Sequence, residues 1–142
     1  DFKPEDFKVL HPGGNLGLQM LTVSQLMRNK GEMAIVKDDL TMSSVVSCMT
    51  QSGFGVAILV DENGTLSGII TDGDLRRNIK DILTFSPRDI ATLNPTSVKP
   101  TDLVSVALEK MEKSKVYAIV VIEDDKPIGL LRMHDILRSG IK

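Results

Sequence analysis

The sequence predicts a mixed α/β (α+β) fold made of two pseudo-symmetric copies of one β-α-β-β-α unit, packed sheet to sheet. The first observation is an ordered repeat. Val36 matches Val98, and Met49 matches Met111 at the same spacing. The second is that each copy combines an amphipathic helical pattern with two aliphatic strands joined by turn residues. One such unit is too small to form an adequate core alone, so we expect the two copies to pack together.

The first copy contains the clearest signals for its elements. Apolar residues at i, i+3, i+4 and i+7 across 42–49 predict an amphipathic helix. The aliphatic run 56–60 predicts a strand covered on both faces, and the Asn63-Gly64 pair predicts a hairpin turn before a strand at 66–70. In this interpretation a short helix through Leu75 and Ile79 closes the copy.

The second copy repeats this order. Its helix and two strands are predicted at 104–111, 118–122 and 128–131. A short helix through Ile136 and Leu137 closes it. Sequence repetition of several elements in one order is not expected by chance, so the tandem arrangement is predicted more strongly than any single element.

The composition is that of an ordinary soluble globular protein of 142 residues, with 42% hydrophobic and 25% charged residues. A formal net charge of −2 gives no reason to expect nucleic acid or a membrane surface as partner. The longest apolar run, 116–122, is too short to span a bilayer, and the chain opens without a signal peptide. The single cysteine, Cys48, fits a cytoplasmic setting and a structural role in the first amphipathic helix.

A glycine, two aliphatic residues, a short link, an aspartate and an arginine occur near the end of each copy. In the first copy the pattern runs from Gly68 through Thr71 to Asp74, and in the second from Gly129 to Asp135. A strand that leads into a helix presents free backbone N–H groups, which favour an anion. An aspartate in the first helical turn can accept two hydrogen bonds, as from the paired hydroxyls of a ribose. The doubled pattern therefore predicts a nucleotide-sensing module.

This order of elements and the pattern Gly-aliphatic-aliphatic-Thr-x-x-Asp resemble a tandem pair of cystathionine-β-synthase (CBS) domains over residues 22–139. Gly68, Thr71 and Asp74 match the motif fully. In the second copy Asp135 matches, but Arg132 stands where the family has threonine.

The beginning of the chain resembles a second family. Asp6-Phe7 and the His11–Gly17 segment (His-Pro-Gly-Gly-Asn-Leu-Gly) are similar to the end of the sugar-isomerase domain in D-arabinose-5-phosphate isomerases, where a CBS pair follows directly. The resemblance implies an enzyme that interconverts ribulose 5-phosphate and arabinose 5-phosphate for synthesis of the lipopolysaccharide sugar Kdo. It predicts the tail of the isomerase domain and a linker at 1–21, CBS repeats at 22–80 and 90–142, and a connecting linker at 81–89. We expect no catalysis by this chain alone, with His11 a possible contributor in the full-length enzyme.

For the first copy the resemblance implies ligand contacts by Thr71 with phosphate and by Asp74 with ribose hydroxyls. The alternative is structural, because Thr is a good N-cap and Asp suits the positive end of a helix. Gly73 lies between them and removes a side chain where a ligand would approach. Arg76, like its neighbour Arg77, has two open interpretations, a solvated helix face or contacts with phosphate or a partner.

For the second copy, Arg132 also has two interpretations. Its charge could bind a phosphate or a carboxylate, or its length could fill the cleft and silence that copy. Asp135 is the second candidate ligand carboxylate. Val36 and Val98 would flank a base by the resemblance, although both also suit a plain core.

These expectations lead to one main hypothesis and two alternatives. The main one is a regulatory CBS pair that binds AMP, ADP, ATP or the pathway product CMP-Kdo. It requires no cofactor and no metal. A second is a scaffold for oligomerisation with an empty cleft, since CBS pairs commonly form dimers and the full-length enzyme is expected to be a tetramer. A third is that His11 completes an active site in a neighbouring subunit.

Overall fold

The computed structural model describes residues 20–139 and places them in short helices and two mixed sheets. The α-helices are α1 (Val23–Leu26), α2 (Met42–Ser52), α3 (Asp72–Arg77), α4 (Pro87–Ile90), α5 (Val104–Ser114) and α6 (Met133–Arg138). The strands are β1 (Arg28–Asn29), β2 (Ala34–Lys37), β3 (Val56–Val60), β4 (Leu66–Thr71), β5 (Thr92–Leu93), β6 (Ser97–Val98), β7 (Ala118–Glu123) and β8 (Lys126–Arg132). Two 3₁₀ helices occur at Lys30–Glu32 and Ile79–Thr84.

The two sheets have the same architecture, and each takes one strand from the other copy. The first has the order β2-β3-β4-β5 and the second β1-β8-β7-β6. β2 and β3 are parallel, as are β6 and β7, whereas β3 and β4 form an antiparallel hairpin. The two-residue strand β5, from the start of the second copy, completes the first sheet, and β1 completes the second in the same way.

The described residues fall into two compact units. The first-copy unit comprises 29–95 and 124–128, and the second-copy unit comprises 20–28, 96–123 and 129–139. Neither unit is one continuous stretch of chain. The predicted α+β class with two β-α-β-β-α copies is confirmed, and each copy also has a short helix and a two-residue strand at its start.

The core of the first-copy unit forms where α2 covers the sheet. Thr41 Oγ1 caps α2 by accepting a hydrogen bond of 3.2 Å from the Ser44 N–H, and Gly53 ends it in the left-handed region at φ 75°. Every residue of β3 is buried, as the uninterrupted aliphatic run predicts. The predicted helix and both hairpin strands of this copy are therefore confirmed.

The core of the second-copy unit repeats this arrangement. The buried face of α5 consists of the four residues that the periodicity selects: Val104, Ala107, Leu108 and Met111. They share the interior with buried aliphatic residues of β7 and β8, among them Ile119 and Leu130. Burial of each such side chain stabilises the fold by roughly 1.5–3 kcal/mol.

One predicted boundary is wrong at the end of the first copy. The closing helix was expected to include Ile79, but α3 ends at Arg77 and Ile79 begins a 3₁₀ helix. Asn78 leaves helical geometry (φ −115°, ψ 15°), and its side-chain Nδ2 donates a 2.8 Å hydrogen bond to the Asp74 carbonyl. The Asn78 side chain thus takes the place of its own backbone N–H as the donor to the Asp74 carbonyl, and the helix ends. Farther on, α4 begins at Pro87, inside the segment predicted as a linker.

A glycine in each central hairpin strand allows the short edge strand to approach. A Cβ added at Gly129 would overlap the backbone carbonyl oxygen of Arg28 in β1. A Cβ at Gly68 would lie 3.0 Å from the backbone oxygen of Thr92 in β5. The glycine that opens the repeated motif thus has a structural function in both copies, and Arg28 occupies the position in the second copy that Thr92 occupies in the first.

We expect Gly129→Ala to destabilise the protein, because its methyl group would collide with backbone rather than with a side chain that can move. The expected loss is about 1–3 kcal/mol in the free energy of unfolding, measured by urea denaturation. Gly31→Ala is the matched control, since a Cβ there meets no atom within 4 Å and should change stability by less than about 0.5 kcal/mol. Equal effects of the two substitutions would contradict this explanation.

Candidate functional site

In the first copy the predicted pair Thr71 and Asp74 forms a closed hydrogen-bonding unit at the junction of β4 and α3. Thr71 is the N-cap, and its Oγ1 accepts a 3.4 Å hydrogen bond from the Asp74 N–H. Asp74 Oδ2 accepts hydrogen bonds from the Thr71 backbone N–H (2.9 Å) and from Thr71 Oγ1 (3.1 Å). This is a capping box with Asp in place of the usual Glu. The structure therefore gives both residues a role in the fold itself.

The second oxygen of the Asp74 carboxylate is paired with a long side chain that is largely exposed to solvent. Oδ1 forms an ion pair with Arg77, whose side chain is 68% exposed. The Asp74 side chain is only 12% exposed, so its carboxylate needs a donor, and a ligand hydroxyl that replaced the guanidinium would supply one. Half of the carboxylate thus holds the helix start, and the other half can be given to a ligand.

The remaining candidates of the first copy are Gly73 and Arg76, on α3, and Val36, in the apolar core. Gly73 follows Thr71 by two residues, and a Cβ there would lie 3.3 Å from Arg77 Nη1. Arg76 is exposed on α3 and forms no ion pair with any residue in 20–139. Val36 is 6% exposed and belongs to the apolar core beneath α2. Its position accords with the core interpretation, and a contact with a base stays a prediction.

In the second copy the corresponding carboxylate has a different environment. Arg132, at the N-cap of α6, donates from Nε to Asp135 Oδ2 and from Nη2 to Oδ1, both at 2.8 Å. Arg28 of β1 donates to Oδ1 from Nε (3.2 Å) and Nη2 (3.1 Å). Both oxygens of Asp135 are thus engaged by guanidinium groups.

These contacts determine the ionisation of Asp135. Burial raises the pKa of its carboxyl group, but the hydrogen bonds and charges of Arg132 and Arg28 outweigh this, so the pKa lies below its usual value. The carboxylate is therefore ionised at neutral pH. Arg28 was not anticipated, because its partner is 107 residues away and its two-residue strand has no periodicity that would mark it.

The other second-copy candidates do not contribute polar contacts to this cluster. Val98, in β6, is 2% exposed and belongs to the core of its unit. His134 is exposed on α6, as a surface residue would be. His11 lies outside the described residues.

Within residues 20–139, no group of three or more His, Cys, Asp or Glu side chains could hold a metal ion. A shallow pocket of about 210 Å³ opens between α2 and α3, lined mainly by Val46, Met49, Leu75 and the carboxylate of Asp72. Thr71 and Asp74 do not line it. In the described part of the chain, no helix is long and apolar enough to cross a membrane.

The fold and the repeated motif define a class of protein. A family model for the CBS domain matches residues 23–81 and 88–142, which is most of the chain. The chain belongs to the CBS domain family and carries two copies of the domain.

The curated relatives make the comparison more specific. The chain is 37% identical over 145 residues to the arabinose 5-phosphate isomerase KdsD of Pseudomonas aeruginosa. The alignment covers 99% of this chain and 44% of the relative. The chain therefore spans less than half the length of that enzyme.

Solved structures confirm the fold. A complex of CBSX2 with AMP superposes with a TM-score of 0.71 at 21% identity, covering 84% of this chain and 95% of the other. The CBS domain pair of protein MJ0100, with 5′-methylthioadenosine and S-adenosyl-L-methionine, gives a TM-score of 0.75 at 20% identity, covering 83% and 94%. The expected CBS-pair architecture is thus confirmed at the level of the fold.

The lowered pKa of Asp135 predicts acid-sensitive stability. Because the folded pKa lies below that of the unfolded chain, about 3.9, the contribution of this carboxylate is complete above that pH. It is lost as the pH falls through the folded value. We expect the difference in unfolding free energy between wild type and Asp135→Asn to be constant from pH 7 to about 5 and to shrink below about 4.

Urea denaturation at a series of pH values measures this difference. Glu109→Gln is the control, because it removes a carboxylate from the exposed face of α5, where Glu109 forms no ion pair with any residue in 20–139. A difference between wild type and Asp135→Asn that does not change between pH 7 and pH 2.5 would show that the arginine contacts contribute nothing to stability.

Proposed function

We propose that this chain is the regulatory CBS pair of a D-arabinose 5-phosphate isomerase and that it binds a nucleotide-like metabolite at Thr71 and Asp74. The observation that carries the proposal is the geometry of the first copy, where, among the described residues 20–139, one oxygen of a helix-start carboxylate is held by a single exposed arginine. The alignment of 99% of the chain with an arabinose 5-phosphate isomerase supports the proposed parent enzyme. In this proposal residues 22–80 and 90–142 are the two repeats.

The chemistry of the site favours a ribose-containing anion. Asp74 Oδ1 accepts hydrogen bonds and can receive both hydroxyls of a ribose when Arg77 moves aside. To bind a phosphate, the Thr71 hydroxyl has to leave Asp74 Oδ2, to which it donates. Gly73 lies in the same first turn, and Arg76, in the last turn of α3, offers an exposed guanidinium as a further donor. Adenosine-type ligands in CBSX2 and MJ0100 support AMP, ADP or ATP, and feedback in the parent pathway supports CMP-Kdo.

In this proposal the chain itself performs no catalysis, which belongs to the isomerase domain of the parent. Ligand binding to the CBS pair changes the rate of interconversion of ribulose 5-phosphate and arabinose 5-phosphate. His11 is assigned to the isomerase part of the full-length enzyme. The enzyme is cytoplasmic and assembles from CBS-pair dimers into a tetramer for Kdo and lipopolysaccharide synthesis.

A second candidate function is an oligomerisation scaffold without a ligand. It is favoured by the exposed apolar residues Ile79 and Leu83, 68% and 70% exposed in the 3₁₀ helix that follows α3. Exposed apolar side chains grouped on one short element are typical of an interaction surface. The two functions differ in one property, the response of the chain to nucleotides.

Thermal unfolding in the presence of AMP, ADP, ATP, CMP or CMP-Kdo tests the ligand site. A ligand at about 100 times its dissociation constant stabilises the folded state by about 2.7 kcal/mol, which raises the midpoint by several degrees. We expect this shift in wild type and no shift in Thr71→Ala/Asp74→Asn. Asp72→Asn is the matched control, since it removes the same charge from the same helical turn and should keep the shift.

The outcomes separate the two functions. A shift that survives Thr71→Ala/Asp74→Asn would place the ligand elsewhere. No shift with any nucleotide, together with a dimer or tetramer in sedimentation velocity, would support the scaffold and contradict the sensor.

The proposed parent activity is tested in the full-length enzyme. We expect purified full-length protein to convert arabinose 5-phosphate to ribulose 5-phosphate, and the stabilising nucleotide to change kcat/KM by about 5-fold to 150-fold, as a coupling free energy of 1–3 kcal/mol would give. Thr71→Ala/Asp74→Asn should retain basal activity and lose the response. Loss of basal activity in that variant, with the fold intact, would contradict a purely regulatory role.

A further inference from the structure

The second copy places two arginines on the carboxylate that corresponds to Asp74. Asp135 has a side-chain exposure of 7%, against 18% for Arg132 and 33% for Arg28. Four hydrogen bonds of 2.8–3.2 Å join the three side chains. In the first copy, by contrast, Arg77 is the only residue in 20–139 that contacts Asp74 Oδ1, and its side chain is 68% exposed, against 12% for Asp74.

The two arginines reach Asp135 from different parts of the chain. Arg132 immediately precedes α6, and its Nε and Nη2 take one carboxylate oxygen each, which is the bidentate arrangement that makes such pairs strong. Arg28 belongs to β1, whose backbone lies directly against Gly129. It takes a second position on Oδ1, so replacing Arg132 alone leaves that oxygen occupied.

Both arginines replace small residues of the first copy. Thr71 stands at the N-cap where the second copy has Arg132, and Thr92 stands against Gly68 where the second copy has Arg28 against Gly129. At both positions a short hydroxyl side chain of the first copy corresponds to a guanidinium that donates to Asp135 in the second. The copies also differ where His134 and Leu137 stand in place of Gly73 and Arg76.

We infer that Arg28 and Arg132 act together as a latch that closes Asp135 to ligands, so that the CBS pair takes one nucleotide, at the first copy only. The inference rests on the proposed function for the position of the open site. Displacing the latch requires breaking a buried bidentate pair and leaving two guanidiniums without their carboxylate, whereas opening Asp74 requires moving one exposed side chain. Arg28 is thereby assigned a specificity role, excluding a second ligand.

Isothermal titration with AMP measures the number of sites per chain. We expect one site in wild type and none in Thr71→Ala/Asp74→Asn. Arg28→Thr/Arg132→Thr gives the second copy the first-copy residues at the two latch positions, and we expect it to bind two AMP molecules. Arg132→Thr alone should still bind one, because Arg28 continues to hold Oδ1.

The gain is also measured in a background that lacks the first site. Thr71→Ala/Asp74→Asn combined with Arg28→Thr/Arg132→Thr should bind one AMP. Arg28→Ser/Arg132→Ser is a second pair of substitutions in case the threonine pair does not fold, and urea denaturation verifies folding of every variant. Serine at position 132 can act as the N-cap of α6, as the introduced threonine would.

The outcomes distinguish the latch from the proposed function. One site in wild type and one in Arg28→Thr/Arg132→Thr would overturn the latch and leave the sensor in place. If wild type has no AMP site and Arg28→Thr/Arg132→Thr gains one, the first-copy site is overturned and the latch is supported. Two sites in wild type, or none in any folded variant, would overturn the latch outright.

Discussion

A buried carboxylate in the first turn of a helix has to be paired, and this requirement shapes the same position in both copies. An isolated buried charge costs several kcal/mol, so the fold must supply donors wherever the motif places its aspartate. In the first copy the N-cap threonine supplies two of them. In the second copy the N-cap is an arginine, and its guanidinium donates to both oxygens of Asp135. The two carboxylates therefore differ in how firmly their oxygen atoms are held by neighbouring side chains.

The same contrast explains how one duplicated unit can acquire two roles. The backbone of the two copies agrees, from the amphipathic helix to the order of the four strands. The carboxylates differ in their partners: Asp135 is held by Arg28 and Arg132, whereas Asp74 is held by Thr71 and Arg77. In the proposed function, regulation by a single ligand needs only one responsive copy.

How much of this the sequence could predict depends on the range of each interaction. The helix α2 and the strand β3 were found because periodicity and aliphatic runs are local signals. The two-residue strands β1 and β5 have no period to detect, and they are defined only by the hairpin strands they meet. The approach of Arg28 to Asp135 joins residues 107 apart, and no pattern within either segment encodes it. Position 132 was recognised as unusual, but its partner residues follow only from the fold.

The exchanged edge strands have a consequence for how the chain can be divided. A protein expressed from one copy alone would lack the strand that its sheet receives from the other copy. Its sheet would then end at the strand that contains the motif glycine, with unpaired N–H and C=O groups open to other chains. Aggregation or exchange of strands between molecules would follow. Two of the shortest strands in the structure thus make the tandem pair, and not the single repeat, the smallest part of this sequence that can be separated and kept in solution.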